Sequence, residues 1–286
     1  MKVVIIGGVA GGASAAARIR RLDENAEIIV FEKSGYVSYA NCGLPYYIGG
    51  IIEKQSALTL QTPDSFRSRF CIEVRVRHEV LKIHPDRKCV TVRDLNTGVD
   101  FEESYDKLLL SPGARPTKPD MPGLESDRLF TLRTVEDTLK IREFVDREHP
   151  QSAVIAGGGF IGLELAENLA ELGMQITVVQ RGDHLLNTLD ADMASFIHAK
   201  FRQKGVSYML NSGVTGFEDR NSKIYTHCAS KEPLCSDMVI FAIGVSPDSH
   251  LAKDAGLALG VRGSILVDDH MRTSNPDIYA VELLLL

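Results

Sequence analysis

The stretch "SAVIAGGGFIGLELAENLAELGMQITVVQR" (152–181) decides the fold. A β-branched run ends in three glycines, a stretch with helical period follows, and a second β-branched run closes it. This is the pattern and size of a βαβ unit. Gly157, Gly159 and Gly162 form a complete GxGxxG between the first strand and the helix. The first glycine permits a tight turn, the second lets backbone approach a pyrophosphate, and the third lets helix and strand pack closely. Behind them the helix N-terminus offers unpaired N–H groups and the positive end of its dipole to a phosphate. A glycine-rich turn can be purely structural, but the full βαβ context favours a dinucleotide site. Phe160 and Ile161 fill the variable positions of that site.

The pattern stands a second time at the start of the chain. "KVVIIGG" (2–8) reads as a strand, "ASAAARIRRL" (13–22) as a helix and "AEIIVFEK" (26–33) as a strand. In this turn Gly7 and Gly12 hold the outer positions, Val9 takes the middle one, and Ala10 and Gly11 lie between. The regular pattern is therefore broken, yet Glu32 closes the next strand twenty residues after Gly12. An acid there is placed to bond the ribose hydroxyls of an adenosine, with Lys33 beside it. Two such units predict an α/β protein with two doubly wound Rossmann-like nucleotide-binding domains. Two further stretches, "ESYDKLLLSPGARP" (103–116, with Ser111 and Gly113) and "SDMVIFAIGVSPD" (236–248, with Gly244), read as strands running into links between domains. The expected domains are 1–112 with 245–286, and 113–244.

Composition narrows the class. The 286 residues suffice for two domains, and 44% hydrophobic with 24% charged residues is the usage of a soluble globular protein. No apolar run approaches the roughly 20 residues of a membrane span. "MKVVIIGG" is too short and too quickly broken by glycine to be a signal peptide. The cysteines at 42, 71, 89, 228 and 235 form no CxxC pair and no metal-ligand spacing. Neither a disulfide framework nor a metal site is expected, and a reducing cytoplasm fits. A net charge of −6 argues against a nucleic-acid surface.

The segments "GGVAGGASAAARIRRL", "FEK", "SYANCGLPY", "SPGARP", "GGGFIGLELAENL", "AIGVSP" and "TSNPDIYAV", in this order and spacing, run through the chain to residue 281. They resemble the flavin-dependent pyridine nucleotide–disulfide oxidoreductases. Within that family they are most similar to the single-cysteine branch of coenzyme A disulfide reductases, NADH oxidases and peroxidases. The resemblance implies a split FAD domain around an inserted NAD(P)H domain. It also implies electrons passing from nicotinamide through flavin and Cys42 to a disulfide. The cofactor-binding residues it implies include Gly7, Val9, Ala10, Gly11, Gly12, Glu32, Lys33, Ser111, Gly113 and Gly244. On the nicotinamide side it adds Glu164, near the flavin, although a Glu in the first turns of a helix also has a plain dipole explanation.

Cys42 lies in "YVSYANCGLPYYIGG" (36–50). A free cysteine is most often an inert core residue, and that reading is taken for Cys71, Cys89, Cys228 and Cys235. For Cys42, a helix beginning after "CGLP", with Pro45 in its first turn, would bring positive dipole beside the sulfur and favour a thiolate. Two-cysteine members of the family carry the partner thiol five residues earlier, where this chain has Val37. The resemblance then implies a mixed disulfide with a thiol from the substrate, with Ser38 and Asn41 nearby. Oxidases and peroxidases of the branch carry a histidine in the first glycine loop where this chain has Ala10, which shifts weight toward disulfide exchange. Arg18 and Arg21 share a helix face that could hold the phosphates of coenzyme A, and a solvated face is the alternative. Gln61 and Thr62 match a loop near that substrate. NADH oxidase, persulfide reductase and a nucleotide-binding remnant with little turnover stay open as alternatives.

At the end of the second unit, Gln180 stands where an NADH enzyme usually has an acid, and Arg181 follows. A 2′-phosphate would be repelled by an acid and attracted by Arg181, which favours NADPH over NADH. After "TSNPDIYAV" the family continues into Gly-Asp, whereas this sequence reads "ELLLL". The expectation is a truncated or frameshifted reading frame without the family's C-terminal dimerisation domain. Complete relatives are expected to be homodimers, and this chain monomeric or aggregation-prone with weakened flavin binding.

Overall fold

The computed structural model describes residues 1–229 and 231–281. By packing, the chain divides into two compact units. The first comprises Met1–Ala40, Thr59–Arg115 and the stretch from Ser246 onward; the second comprises Asn41–Leu58 and Pro116–Val245. The chain thus crosses at Arg115/Pro116 and at Val245/Ser246, and the segment 41–58, read above with the first domain, groups with the second. Among the described residues no helix is long and apolar enough to cross a membrane.

The first unit begins with strand β1 (Lys2–Ile6), helix α1 (Ala10–Leu22) and strand β2 (Glu27–Glu32). Helix α2 (Leu44–Ile48) belongs to the second unit. The first resumes with α3 (Pro63–Phe70), β3 (Glu73–Val76), β4 (His78–His84), β5 (Cys89–Asp94), β6 (Asp100–Ser104) and β7 (Lys107–Leu110). Strand β8 (Ala114–Pro116) leads out. The second unit continues with β9 (Leu129–Phe130), α4 (Val135–Glu148), β10 (Ser152–Ala156), α5 (Phe160–Glu171) and β11 (Gln175–Val179). Then come α6 (Ala191–Gln203), β12 (Ser207–Met209), β13 (Val214–Arg220), β14 (Lys223–Cys228), β15 (Lys231–Ser236) and β16 (Met238–Phe241). Strand β17 (Val245–Pro247), which pairs with β8, leads back to α7 (His250–Asp254) and β18 (Ile278–Ala280).

The main sheets have the order β18-β7-β1-β2-β3 and β12-β11-β10-β16-β9. Read from the other edge, the second repeats the first. A central strand carries the glycine turn, the next strand of the βαβ unit lies on one side, and the strand entering the crossing lies on the other. All the pairings are parallel, with Val4 opposite both Ile29 and Leu108, and Ile155 opposite both Val178 and Ile240. This is the order in which dinucleotides bind beyond the strand ends, at the switch between the central strand and its neighbours. In each unit the crossover from an edge strand to the strand beside the central one, β3 to β7 or β12 to β16, is made by three antiparallel strands, β4-β5-β6 or β13-β14-β15, in place of a helix.

Alternation along β1 explains the layering, because successive side chains leave a strand on opposite faces. Val3 and Ile5 pack with Ala13 and Ala16 of α1, while Val4 and Ile6 pack with Val80, Val90 and Val92 of the antiparallel strands. In the second unit Val154 and Ala156 play the latter part against Phe217 and Ile224. Alanine and glycine on the inner face of α1 let it approach the sheet, and Ala16 is fully buried.

Candidate functional site

The two glycine turns are built alike. Gly7 has φ +95° and Gly157 φ +118°, a region that side-chain-bearing residues rarely adopt. A Cβ on Gly7 would lie 2.0 Å from the carbonyl oxygen of Ser111, and one on Gly157 would lie 2.1 Å from that of Ala242. Each turn is therefore pressed against the residue that follows the neighbouring strand. Gly12 and Gly162 do the expected packing, since a Cβ there would come within 1.8 Å and 2.0 Å of the carbonyl oxygens of Gly7 and Gly157. Gly159 differs. Its φ is −85°, and a Cβ would meet nothing within 4 Å. Neither conformation nor packing requires glycine there, and the space left open lies before the N-terminus of α5, where a pyrophosphate would approach. Val9 holds the corresponding N-cap position of α1, and neither cap makes a side-chain hydrogen bond. By contrast α3 and α4 are closed by capping boxes at Thr62 and Thr134.

The end of the second strand completes each turn. Gly8 N–H donates to Glu32 Oε2 at 2.8 Å, and Gly158 N–H donates to Gln180 Oε1 at 3.1 Å. The same backbone position thus finds a buried carboxylate in the first unit and a neutral amide in the second. The second carboxylate oxygen of Glu32 accepts from Ser34 N–H. Arg181 follows Gln180, is exposed and has no partner among the described residues. Phe160, 62% exposed, and Ile161 stand at the mouth of the second turn. One turn into α5, burial and then the nearby Glu167 push the Glu164 carboxyl above its ordinary range.

Other expected residues are drawn together less directly. Lys33 is exposed and pairs with Asp248 at 3.5 Å; Asp248 also accepts from His250 Nδ1 at 2.8 Å, and its N–H donates to the carbonyl of Gly113. Burial works against the Asp248 charge, but His250 and Lys33 outweigh it and hold the carboxyl below its ordinary range. Ala10 opens α1 and is exposed, and Gly11 follows in the first turn. Gly244 lies exposed at the return crossing, where its carbonyl accepts from Thr117 N–H. Ser38 has φ +48°, with its N–H on the Gly8 carbonyl and its carbonyl on Leu60 N–H.

Arg18 and Arg21 are exposed without partners among the described residues, about two turns beyond the glycine turn. Arg20, between them, is spent on structure, bonding the carbonyls of Phe70 and Cys71 at the end of α3. Gln61 and Thr62 also make local contacts: Thr62 caps α3, and Gln61 Oε1 accepts from Ser65 Oγ.

Cys42 is exposed in a short 3-10 turn, Asn41–Gly43, that runs into α2 with Pro45 in its first turn. The helix has only five residues. All five cysteines are free. Val37 is 1% exposed and packs in the core of the first unit, so the position of the partner thiol in two-cysteine relatives is filled by a core side chain. Asn41 accepts from Arg133 Nη1 at 3.1 Å. Sequence reasoning passed over Gly8, Gly158, Arg133 and Asp248. The repeated double glycine was the available signal for the first two, and no sequence pattern marks the others. Among the described residues no group of three or more His, Cys, Asp or Glu could hold a metal ion. Glu282 and the terminal leucines lie outside the described residues.

Comparison with known proteins agrees with this geometry. The profile of the family described as pyridine nucleotide-disulphide oxidoreductase matches residues 1–281. The coenzyme A disulfide reductase of Staphylococcus aureus strain JH9 is 39% identical over 280 residues, covering 98% of this chain and 62% of the relative. The chain thus spans less than two thirds of the curated relatives it matches. Among solved structures, reduced CoADR-RHD of Bacillus anthracis superposes with a TM-score of 0.96 at 44% identity, covering 99% of this chain and 51% of that one. An NAD-dependent persulfide reductase from A. fulgidus gives 0.94 at 38% identity, covering 98% and 52%.

Proposed function

Because the chain belongs to the pyridine nucleotide-disulphide oxidoreductases, we propose that it reduces a small disulfide with NAD(P)H, coenzyme A disulfide being the favoured substrate. Its first glycine turn, with Glu32 and Lys33, would hold the adenosine end of FAD; its second, with Gln180 and Arg181, would hold NADPH in preference to NADH. The open space at Gly159 and the positive-φ turns at Gly7 and Gly157 fit dinucleotides at both places. When bound, FAD supplies the relay of the two electrons that NADPH delivers as hydride.

The chain's own contribution is the thiol. The thiolate of Cys42 attacks one sulfur of the disulfide, the S–S bond breaks, and the first coenzyme A leaves as a thiolate that takes up a proton. Two electrons originating in NADPH, with a second proton, then cleave the mixed disulfide, freeing the second thiol and regenerating Cys42. One NADPH and one proton are consumed for two thiols formed. The observation that carries this reading is that Cys42 is exposed while Val37, the position of a second thiol, is buried core. With no thiol there, the disulfide partner comes from outside the chain.

The test supplies FAD and compares NADPH and NADH against coenzyme A disulfide, a persulfide, oxygen and hydrogen peroxide, for the wild-type chain and Cys42→Ser. The reading expects NADPH with coenzyme A disulfide to be fastest and Cys42→Ser to be inactive with it. Faster turnover of oxygen would replace it with an oxidase, and faster turnover of the persulfide with a persulfide reductase.

A further inference from the structure

Helix α2 packs on α4 and α5, and three contacts within the second unit fix it there. At its leading side the Arg133 guanidinium donates to Asn41 Oδ1, one residue before Cys42. At its trailing end Arg142 Nη1 of α4 donates to the carbonyl of Ile48 at 3.0 Å, one of the carbonyls a helix end leaves without an internal partner. Beside it, Gly49 faces Asn168 of α5. A Cβ on Gly49 would lie 2.3 Å from Asn168 Oδ1, 2.8 Å from its Cβ and 2.9 Å from its Cγ.

Gly49 has φ −73° and ψ −6°, which any residue adopts, so glycine is needed here for the contact and not for the conformation. Asn168 has little freedom to yield. It is 1% exposed, and its Nδ2 is committed to the carbonyl of Glu164 at 2.8 Å. Its Oδ1 is buried without a hydrogen-bond partner among the described residues.

We propose that Arg133, Arg142 and Asn168 are positioning residues for Cys42. The second unit carries the thiol, and the fit of Gly49 against Asn168 sets the spacing between α2 and the helix whose N-terminus takes the pyridine nucleotide. The inference rests on the reading of Cys42 as the redox thiol. Its importance lies in the steep dependence of reaction on geometry, where a misplacement of about 1 Å can cost about a hundredfold in rate.

The test follows alkylation of each cysteine by iodoacetamide, peptide by peptide, in the full chain and across the pH range in which thiols ionise. Gly49→Ala is expected to free the Cys42 turn and speed its alkylation about threefold or more, while the exposed Cys71 and Cys235 keep their rates. Gly49→Ala/Asn168→Gly removes all three crowding atoms and is expected to return Cys42 toward its wild-type rate and pH profile. A general loosening would instead worsen when a glycine enters α5. An unchanged Cys42 rate in Gly49→Ala, or a double variant worse than the single one, overturns the proposal. Should Gly49→Ala unfold the chain, alkylation of buried Cys89 and Cys228 reports it, and Arg142→Met then decides: acceleration at Cys42 supports the proposal and an unchanged rate overturns it. Activity of Cys42→Ser tests the redox role separately, and none of these outcomes bears on it.

Discussion

A single atom type separates the two nucleotide turns. Glu32 and Gln180 both accept a backbone N–H from the residue after the first glycine, but only Glu32 brings a carboxylate. Gln180→Glu keeps that acceptor and adds the charge that repels a 2′-phosphate. Combined with Arg181→Ala it is expected to move preference from NADPH toward NADH by about one to two decades, from a charge-assisted hydrogen bond of about 1.5–3 kcal/mol. Paired coenzyme titrations check this, and a wild-type chain that already prefers NADH contradicts it. A second residue gives a pH prediction. Tyr105 is 4% exposed and its hydroxyl has no partner among the described residues. Burial first, then Cys89 and Asp277, push its phenol up to about 12. The unfolded chain ionises earlier, near 10, so this stability is complete below that pH and is lost as pH climbs toward about 12. Tyr105→Phe should be no less stable at neutral pH and should lose less over the alkaline range. Thermal melts across that range measure it, and parallel losses in both proteins would refute it.

Among the elements, the turn into α5 separates the glycines that packing requires, Gly157 and Gly162, from Gly159, which neither packing nor conformation requires. Gly157→Ala and Gly162→Ala drive a Cβ into backbone oxygen and are expected to destabilise the chain by at least about 1–3 kcal/mol. Gly159→Ala meets open space at an ordinary φ, so it should fold normally and bind NADP+ about tenfold or more weakly. Melting curves and titration of the folded variant check both halves, and equal NADP+ affinity in Gly159→Ala would remove α5 from the site. This division also marks what a sequence reveals. The βαβ units were legible because glycine spacing and β-branched runs are local signals. The antiparallel crossovers β4-β5-β6 and β13-β14-β15 were not, because their strands are partly exposed and rich in charge, with no turn dipeptide to announce them. The packing of α2 on α5 was also hidden, since it depends on Gly49 meeting Asn168, residues far apart in sequence. Likewise Thr62 caps α3, and its sequence does not separate that role from a substrate contact, because a cap motif and a binding loop use the same residue types.

For the whole molecule, the repeat of one sheet order in two units gives two glycine turns of the same build within the described residues, one closed by Glu32 and the other by Gln180, which are proposed above to hold FAD and NADPH. Ligands that bind only the folded chain stabilise it by mass action, about 2.7 kcal/mol at a hundred times the dissociation constant. FAD and NADP+ are therefore each expected to raise the unfolding midpoint, and Gly159→Ala should blunt only the response to NADP+. Equal blunting of both responses would show that the two sites are not separate. The central claim is that Cys42 exchanges with an external disulfide and is restored by electrons from NADPH. The most direct measurement incubates the FAD-supplied chain with coenzyme A disulfide, locates the coenzyme A adduct by peptide mass spectrometry, and then adds NADPH. The account predicts an adduct on Cys42, little on the exposed Cys71 and Cys235, and its release as free thiol by NADPH. An adduct spread evenly over the three exposed cysteines, or one on Cys42 that NADPH leaves in place, would contradict it.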